Sequence, residues 1–321
     1  MARPLPISIL QATPLSAATA AATFPDQLGS LVQDFPNSRL VICPELHLCG
    51  VEGSPKQRLE QLQAAAEPLD GPRTRWLGDL AAELGVWLLP GSVCERSSSG
   101  GLYNTALAFS PAGELVAAYR KCFPWRPYEP YKAGDRFVVF DLPEVGRVGL
   151  SICFDAWFPE VSRHLAWMGA EVIVNPTQTT TCDRAQELVL SRANAIVNQV
   201  FVVSVNAAAP FGTGRSLVVD PEGRVRAEAG EVASVLTDVL DFDEVTRVRT
   251  FGTAALTRIW AQFTDGDEPL ELPLYDGRID PARWSRNPPP PAPLGPGLGS
   301  QRGKTGMSAS HETASSETGA Q

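Results

Sequence analysis

The chain has 321 residues, of which 44% are apolar and 20% charged, enough material for a core in one large or two small domains. Its 27 basic and 36 acidic residues give a net charge of −9, which argues against a nucleic-acid footprint, and no apolar stretch is long enough to span a membrane. The six cysteines, at 43, 49, 94, 122, 153 and 182, are too scattered in too large a chain to form a disulfide framework.

Near the N-terminus, Arg3, a short apolar run and the alanine-rich segment 17–22 superficially resemble a secretory signal. The run is only Ile7 to Leu10, however, and Gln11, Thr13 and Pro14 break it. It reads instead as a first strand, and a cytoplasmic protein is expected. Residues 39–43 form a second short apolar strand, which ends in Pro44-Glu45. A carboxylate at the end of a buried strand is costly unless it is paired or chemically employed. Cys43, His47 and Cys49 lie close together in sequence, but no Cys-x-x-Cys or His-x-x-x-His completes a zinc set. No metal is expected.

Gln57 to Leu69 and Pro72 to Leu84 have helical composition and apolar spacing, and Val86 to Pro90 reads as a buried strand. Tyr103 to Phe109 and Glu114 to Tyr119 form a hairpin across Ser110-Pro111-Ala112-Gly113. Its second strand runs into Arg120-Lys121 before a proline-rich turn. Val148 to Ile152 is another buried strand, broken abruptly at Cys153 by the turn Phe154-Asp155-Ala156-Trp157. A thiol at such a break points out of the sheet, where a substrate reaches it. The next backbone N–H groups, near a helix start, then face a developing oxyanion. A buried structural cysteine is the alternative.

Further on come a short helix (Glu160 to Gly169), a strand (Glu171 to Val174), a helix (Arg184 to Asn198) and a strand (Phe201 to Val205). A turn-linked pair, Ser216 to Val219 and Val225 to Ala229, precedes a last strand at Val235 to Leu240. Strands interleaved with helices imply sheets covered by helices. Residues 1–285 read as one domain. From 286 the Pro/Gly/Ser-rich composition cannot bury enough surface to offset its ordering entropy, so a disordered tail is expected.

Three charged or nucleophilic residues thus stand at strand ends in the order Glu45, Lys121, Cys153, separated by 76 and 32 residues (121−45 and 153−121). This set resembles the nitrilase superfamily of carbon–nitrogen hydrolases, whose triad is Glu, Lys and Cys in that order. The resemblance covers nearly everything from Pro6 to about Trp260. It rests on Ile7 to Gln11, Pro44-Glu45, Tyr119-Arg120-Lys121, and Ser151 to Asp155 with Phe158-Pro159-Glu160. Ser191 to Ala195, Gly212 to Ser216 and Val219 to Gly223 extend it downstream.

The resemblance implies an α-β-β-α sandwich and a homodimer or higher homo-oligomer. It also implies covalent catalysis without metal or cofactor on a small-molecule amide or nitrile. Glu45 would be the base, Cys153 the nucleophile, and Lys121 with the Phe154 N–H the anion stabiliser. Glu129 matches a second family glutamate that holds the lysine and substrate. Trp157, Thr177 and Gln178 stand open between substrate contact and packing. The Pro-Trp-x-Pro-x-Glu loop at 124–129 is similar to that of aliphatic amidases and formamidases, although Phe154 replaces the acidic residue those enzymes usually carry after the cysteine. Hydrolysis of a linear carboxamide is therefore expected, with nitrile or N-carbamoyl hydrolysis and a non-catalytic scaffold as alternatives. A Cys–His mechanism is disfavoured, because His164 falls inside the helix after Cys153 and no histidine sits at a strand end.

Overall fold

The computed structural model describes residues 2–273 and 277–279; the expected tail and its boundary at 285 lie outside the described residues. In chain order the elements are β1 (Pro4–Gln11), α1 (Ala17–Asp34), β2 (Leu40–Ile42), α2 (Pro55–Ala65), α3 (Pro72–Leu84), β3 (Trp87–Leu89), β4 (Ser92–Arg96), β5 (Leu102–Phe109) and β6 (Leu115–Arg120). There follow β7 (Val138–Leu142), β8 (Gly146–Leu150), a 3-10 turn (Cys153–Trp157), α4 (Pro159–Trp167), β9 (Val172–Thr177), α5 (Arg184–Asn198) and β10 (Phe201–Asn206). The remaining main elements are β11 (Leu217–Val219), β12 (Val225–Glu228), β13 (Ser234–Asp241) and α6 (Phe242–Phe251).

Two sheets carry the fold. One runs β13-β1-β2-β3-β5-β4, with β6 also paired to β5; the other runs β12-β11-β10-β9-β8-β7. Side-chain alternation along the strands divides the core into layers. Leu40 and Ile42 of β2 meet Val172 and Val174 of β9 between the sheets. Val41 turns outward against Phe24 and Leu28 of α1 and Leu77 and Leu80 of α3. On the far side, Ile173 and Val202 pack beneath Val161 and Leu165 of α4 and Leu188 of α5. Helix, sheet, sheet and helix stack in that order, which is the expected α-β-β-α sandwich. Among the described residues no helix is long and apolar enough to cross a membrane.

The details depart from the sequence reading in instructive places. The alanine-rich segment is the start of α1, capped by Ser16, whose Oγ accepts from the Thr19 N–H, and anchored by Ala20, Phe24, Leu28 and Leu31. The helix expected to reach Leu69 stops at Ala65. Beyond it Glu67 joins the edge of β4, donating to the Cys94 carbonyl (3.3 Å) and accepting from the Arg96 N–H (2.9 Å). Pro68 has no N–H with which to continue a helix. The strands β4 and β7 and the helix α6 were not anticipated.

The ends of β2 and β3 are tied together directly beneath Glu45. The Cys43 N–H donates to the Leu89 carbonyl at 2.9 Å, and the Leu46 N–H donates to Ser92 Oγ at 3.0 Å. Gly91, at φ +84°, lies so close that a Cβ there would sit 1.7 Å from the Pro44 carbonyl oxygen. Gly91→Ala combines that clash with a left-handed backbone, so it should cost about 3 kcal/mol or more. Chemical denaturation of the variant checks this; a loss below about 1 kcal/mol would show that the turn carrying Glu45 is not rigidly packed.

Candidate active site

Lys121 is the first residue past β6. Its N–H donates to the Asn104 carbonyl at 2.9 Å and its carbonyl accepts from the Gly134 N–H at 2.8 Å, which pins the backbone between β5 and the following loop. Lys121 as a whole is 1% exposed. Its Nζ lies 3.1 Å from Glu45 Oε1 and 2.7 Å from Glu129 Oε1. Asn104 Nδ2 donates to the same Glu45 oxygen at 2.8 Å, and the Glu45 N–H donates to the Thr177 carbonyl at 3.3 Å. Glu129 is held from its other side by the Trp125 N–H, which donates to Oε2 at 3.0 Å. One ammonium thus sits between two carboxylates.

Cys153 opens the 3-10 turn beyond β8 with φ +48°, a left-handed conformation that costs a non-glycine residue about 1–2 kcal/mol. Asp155 holds the turn in place. This fully buried carboxylate accepts from Tyr119 Oη (2.8 Å), the Ile152 N–H (2.9 Å) and the Phe123 N–H (2.9 Å). It therefore ties the cysteine turn to the strand and loop that carry Lys121. Burial outweighs those donors and pushes its carboxyl up to about 6.

The thiol and the three charged groups around it tune one another. Burial raises the Glu45 carboxyl above its ordinary range, against the pull of Lys121, and the neighbouring Glu129 charge raises it further. Burial likewise lifts the Cys153 thiol well above its usual value, and Glu45 adds to the effect. Burial alone would lower Lys121, yet Glu45, Cys153 and Glu129 together hold it well above the ordinary lysine value. At neutral pH the lysine is a fixed cation and the thiol keeps its proton, while the Glu45 carboxyl beside it binds a proton more tightly than in water.

The structure brings Glu45, Lys121, Glu129 and Cys153 together and distributes the other expected residues around them. Phe154 and Trp157 lie on the turn itself, their rings 6.1 Å apart, with the Phe158 ring edge-on to Phe154 at 5.3 Å. Thr177 contributes its carbonyl to Glu45, while its hydroxyl is directed into the sheet towards the Val205 carbonyl (3.4 Å). Gln178 is half-buried beside it. Both non-tail histidines are engaged elsewhere: His164 donates through Nδ1 to the Glu160 carbonyl at 2.6 Å, and His47 packs on Phe24 with ring centroids 5.5 Å apart.

The sequence reading missed a second polar layer. Thr179 Oγ1 lies 4.0 Å from Cys153 Sγ and donates to the Glu187 carboxylate, whose oxygens are 2.9 and 2.8 Å away. Glu187 in turn pairs with buried Arg184 at 3.0 Å. Thr179 directly follows Thr177 and Gln178, and Glu187 lies inside the helix read over Arg184 to Asn198. Two charges on the buried side of α5, three residues apart, were the available signal.

Comparison with known proteins shows the family and the fold. Residues 8–250 match the carbon–nitrogen hydrolase family, and the chain belongs to that family. Formamidases of Bacillus thuringiensis and Bacillus anthracis are 35% identical over 176 residues, which is 54% of this chain and 52% of theirs. The chain thus matches about half the length of these curated relatives. Among solved structures, XC1258 from Xanthomonas campestris, a carbon–nitrogen hydrolase superfamily protein, is similar at TM-score 0.68 and 26% identity, covering 83% of this chain and 98% of that one. Saccharomyces cerevisiae Nit3 shares the fold at TM-score 0.70 and 24% identity, covering 77% and 94% of the two chains.

Replacing Lys121 by Met leaves two carboxylates facing each other without a counter-charge. Breaking a buried pair in this way costs about 3–5 kcal/mol. The Glu45 carboxyl, already raised in the folded state, would rise further, so the folded variant gains stability on protonation and loses it as pH increases through that pKa. The deficit of Lys121→Met relative to wild type should accordingly be larger at pH 8 than at pH 5 in thermal or denaturant unfolding. A deficit independent of pH would mean that the carboxylates are not coupled through Lys121.

Proposed function

We propose that the protein is a thiol-dependent amidase that hydrolyses a small or medium linear carboxamide to acid and ammonia. The observation that carries this reading is the Lys121 ammonium hydrogen-bonded to both Glu45 and Glu129 beside the Cys153 thiol. An amide is a poor electrophile with a poor leaving group, so its cleavage needs a nucleophile, a proton shuttle and an anion stabiliser. Glu45 removes the thiol proton as sulfur attacks the carbonyl carbon. Lys121 and the Phe154 N–H stabilise the tetrahedral oxyanion, a donor of this kind being worth about 2.7–4 kcal/mol. The proton held on Glu45 passes to the departing nitrogen, leaving a thioester on Cys153. Glu45 then activates water, which releases the acid and restores the thiol.

Two further observations support an amide as substrate. The relatives matched over half their length are formamidases, and a Nesterenkonia amidase with the same fold (TM-score 0.63, 24% identity) is known in complex with butyramide. The rings of Phe154 and Trp157 beside the nucleophile suit an aliphatic or aromatic acyl group larger than formyl.

Ammonia release from a panel of short aliphatic and aromatic amides tests the reading. Cys153→Ala should lower turnover by at least about 10³-fold. The acidic limb of the kcat/KM profile should lie above the ordinary carboxylate range. Glu129→Gln should move that limb to lower pH, because the Glu129 charge is one of the causes that raise Glu45. Turnover that survives Cys153→Ala, or activity on nitriles with none on amides, would reject the proposal.

A further inference from the structure

The two side-chain donors that hold Glu45 converge on one of its oxygens. Lys121 Nζ and Asn104 Nδ2 both donate to Oε1, at 3.1 and 2.8 Å. Each carboxylate oxygen offers two acceptor positions, so these donors fill Oε1. Asn104 lies inside β5, opposite Cys94 of β4, and is fully buried. A buried amide is costly unless both of its ends are paired. One end is not: among the described residues Asn104 Oδ1 has no hydrogen-bond partner.

The amide cannot exchange its ends, because Oε1 accepts from an ammonium and would repel a carbonyl oxygen. The same residue also fixes the lysine, since its backbone carbonyl accepts from the Lys121 N–H at 2.9 Å. One position in β5 thus sets Glu45 through its side chain and Lys121 through its main chain. A leucine would fill this place in the strand without leaving a buried oxygen unpaired. Packing therefore gives no reason for an amide here, whereas the bond to Glu45 does.

We propose that Asn104 is a positioning residue which, with Lys121, bars protons from Glu45 Oε1 and leaves Oε2 as the oxygen that shuttles them. The consequence for turnover rests on the amidase reading. As sulfur bonds to the carbonyl carbon, the S–H bond breaks and an Oε2–H bond forms. As the tetrahedral adduct collapses, the Oε2–H bond breaks, an N–H bond forms and the C–N bond breaks, releasing ammonia. Oε1 keeps both hydrogen bonds throughout, so the carboxyl does not have to rotate between the two transfers.

The test compares full-length wild type with Asn104→Leu. Burial raises the Glu45 carboxyl, Lys121 lowers it, Glu129 raises it and Cys153 lowers it; Asn104 adds a donor that favours the charged form. Its loss should move the acidic limb of the kcat/KM profile up by about one pH unit, opposite in direction to Glu129→Gln. The value of kcat should fall about tenfold or more with KM nearly unchanged, because either oxygen then takes the proton. Two readouts need no substrate. In infrared difference spectra against Glu45→Gln, the C=O stretch of protonated Glu45 belongs to Oε1 and should rise in frequency when Asn104 is lost. In protein with Asn104 intact and isotope-labelled asparagine, the Asn104 Nδ2 proton resonance should titrate together with the Glu45 carboxyl. A limb that stays or moves down in folded Asn104→Leu, a carbonyl band that does not move, or an Asn104 resonance indifferent to Glu45 would each overturn the proposal. Wild type without amide turnover would reject the amidase reading instead, and the band and the resonance would still decide which oxygen carries the proton.

Discussion

The site depends on one ammonium group held out of water between two carboxylates. Lys121 and Glu45 are 1% and 2% exposed, and charges so far from solvent persist together only when each is paired and hydrogen-bonded. Asn104 and the Thr177 carbonyl complete the partners of Glu45, and the Trp125 N–H completes those of Glu129. The cluster then sets the state of everything near it. The lysine stays charged, the carboxylate is left more basic than in water, and the thiol keeps its proton. Each of these consequences would change sign or size if one member were removed.

The sandwich makes such a cluster possible because its members come from both sheets. Glu45 follows β2 and Lys121 follows β6 in one sheet, whereas Cys153 follows β8 in the other. Asp155 crosses between them, with Tyr119 from the lysine strand and the Ile152 N–H from the cysteine turn on the same carboxylate. Apolar packing between Leu40, Ile42, Val172 and Val174 fixes the spacing of the sheets. The loops at the strand ends inherit that rigidity, and a strained φ at Cys153 is sustained by it.

Much of this was legible because a buried strand that ends in a polar residue is a local signal. The runs before Glu45, Lys121 and Cys153 each switch abruptly from apolar to charged or nucleophilic, and the hairpin at Ser110 to Gly113 is written in its turn residues. What escaped depends on long-range packing. β1 pairs with β13 across more than 200 residues, Pro4 with Asp241, and no spacing rule reveals that. α1 was hidden by its alanines, since Ala20, Phe24, Leu28 and Leu31 become a stripe only once the sheet beneath them exists. Glu187 and Arg184 were passed over because two charges three residues apart on a helix read as readily as a solvated face, and only the fold brings Thr179 against them.

The most direct test of the account is rapid acid quench of the enzyme during turnover of a hydrolysed amide, with intact mass spectrometry, repeated with hydroxylamine present. Wild type should carry one acyl group as a thioester at Cys153, and hydroxylamine should divert it to the hydroxamate at the expense of free acid. Cys153→Ala should show neither. Amide turnover with no acylated enzyme and no hydroxamate, or either product arising without Cys153, would contradict a mechanism in which Lys121 and its two carboxylates serve a cysteine nucleophile.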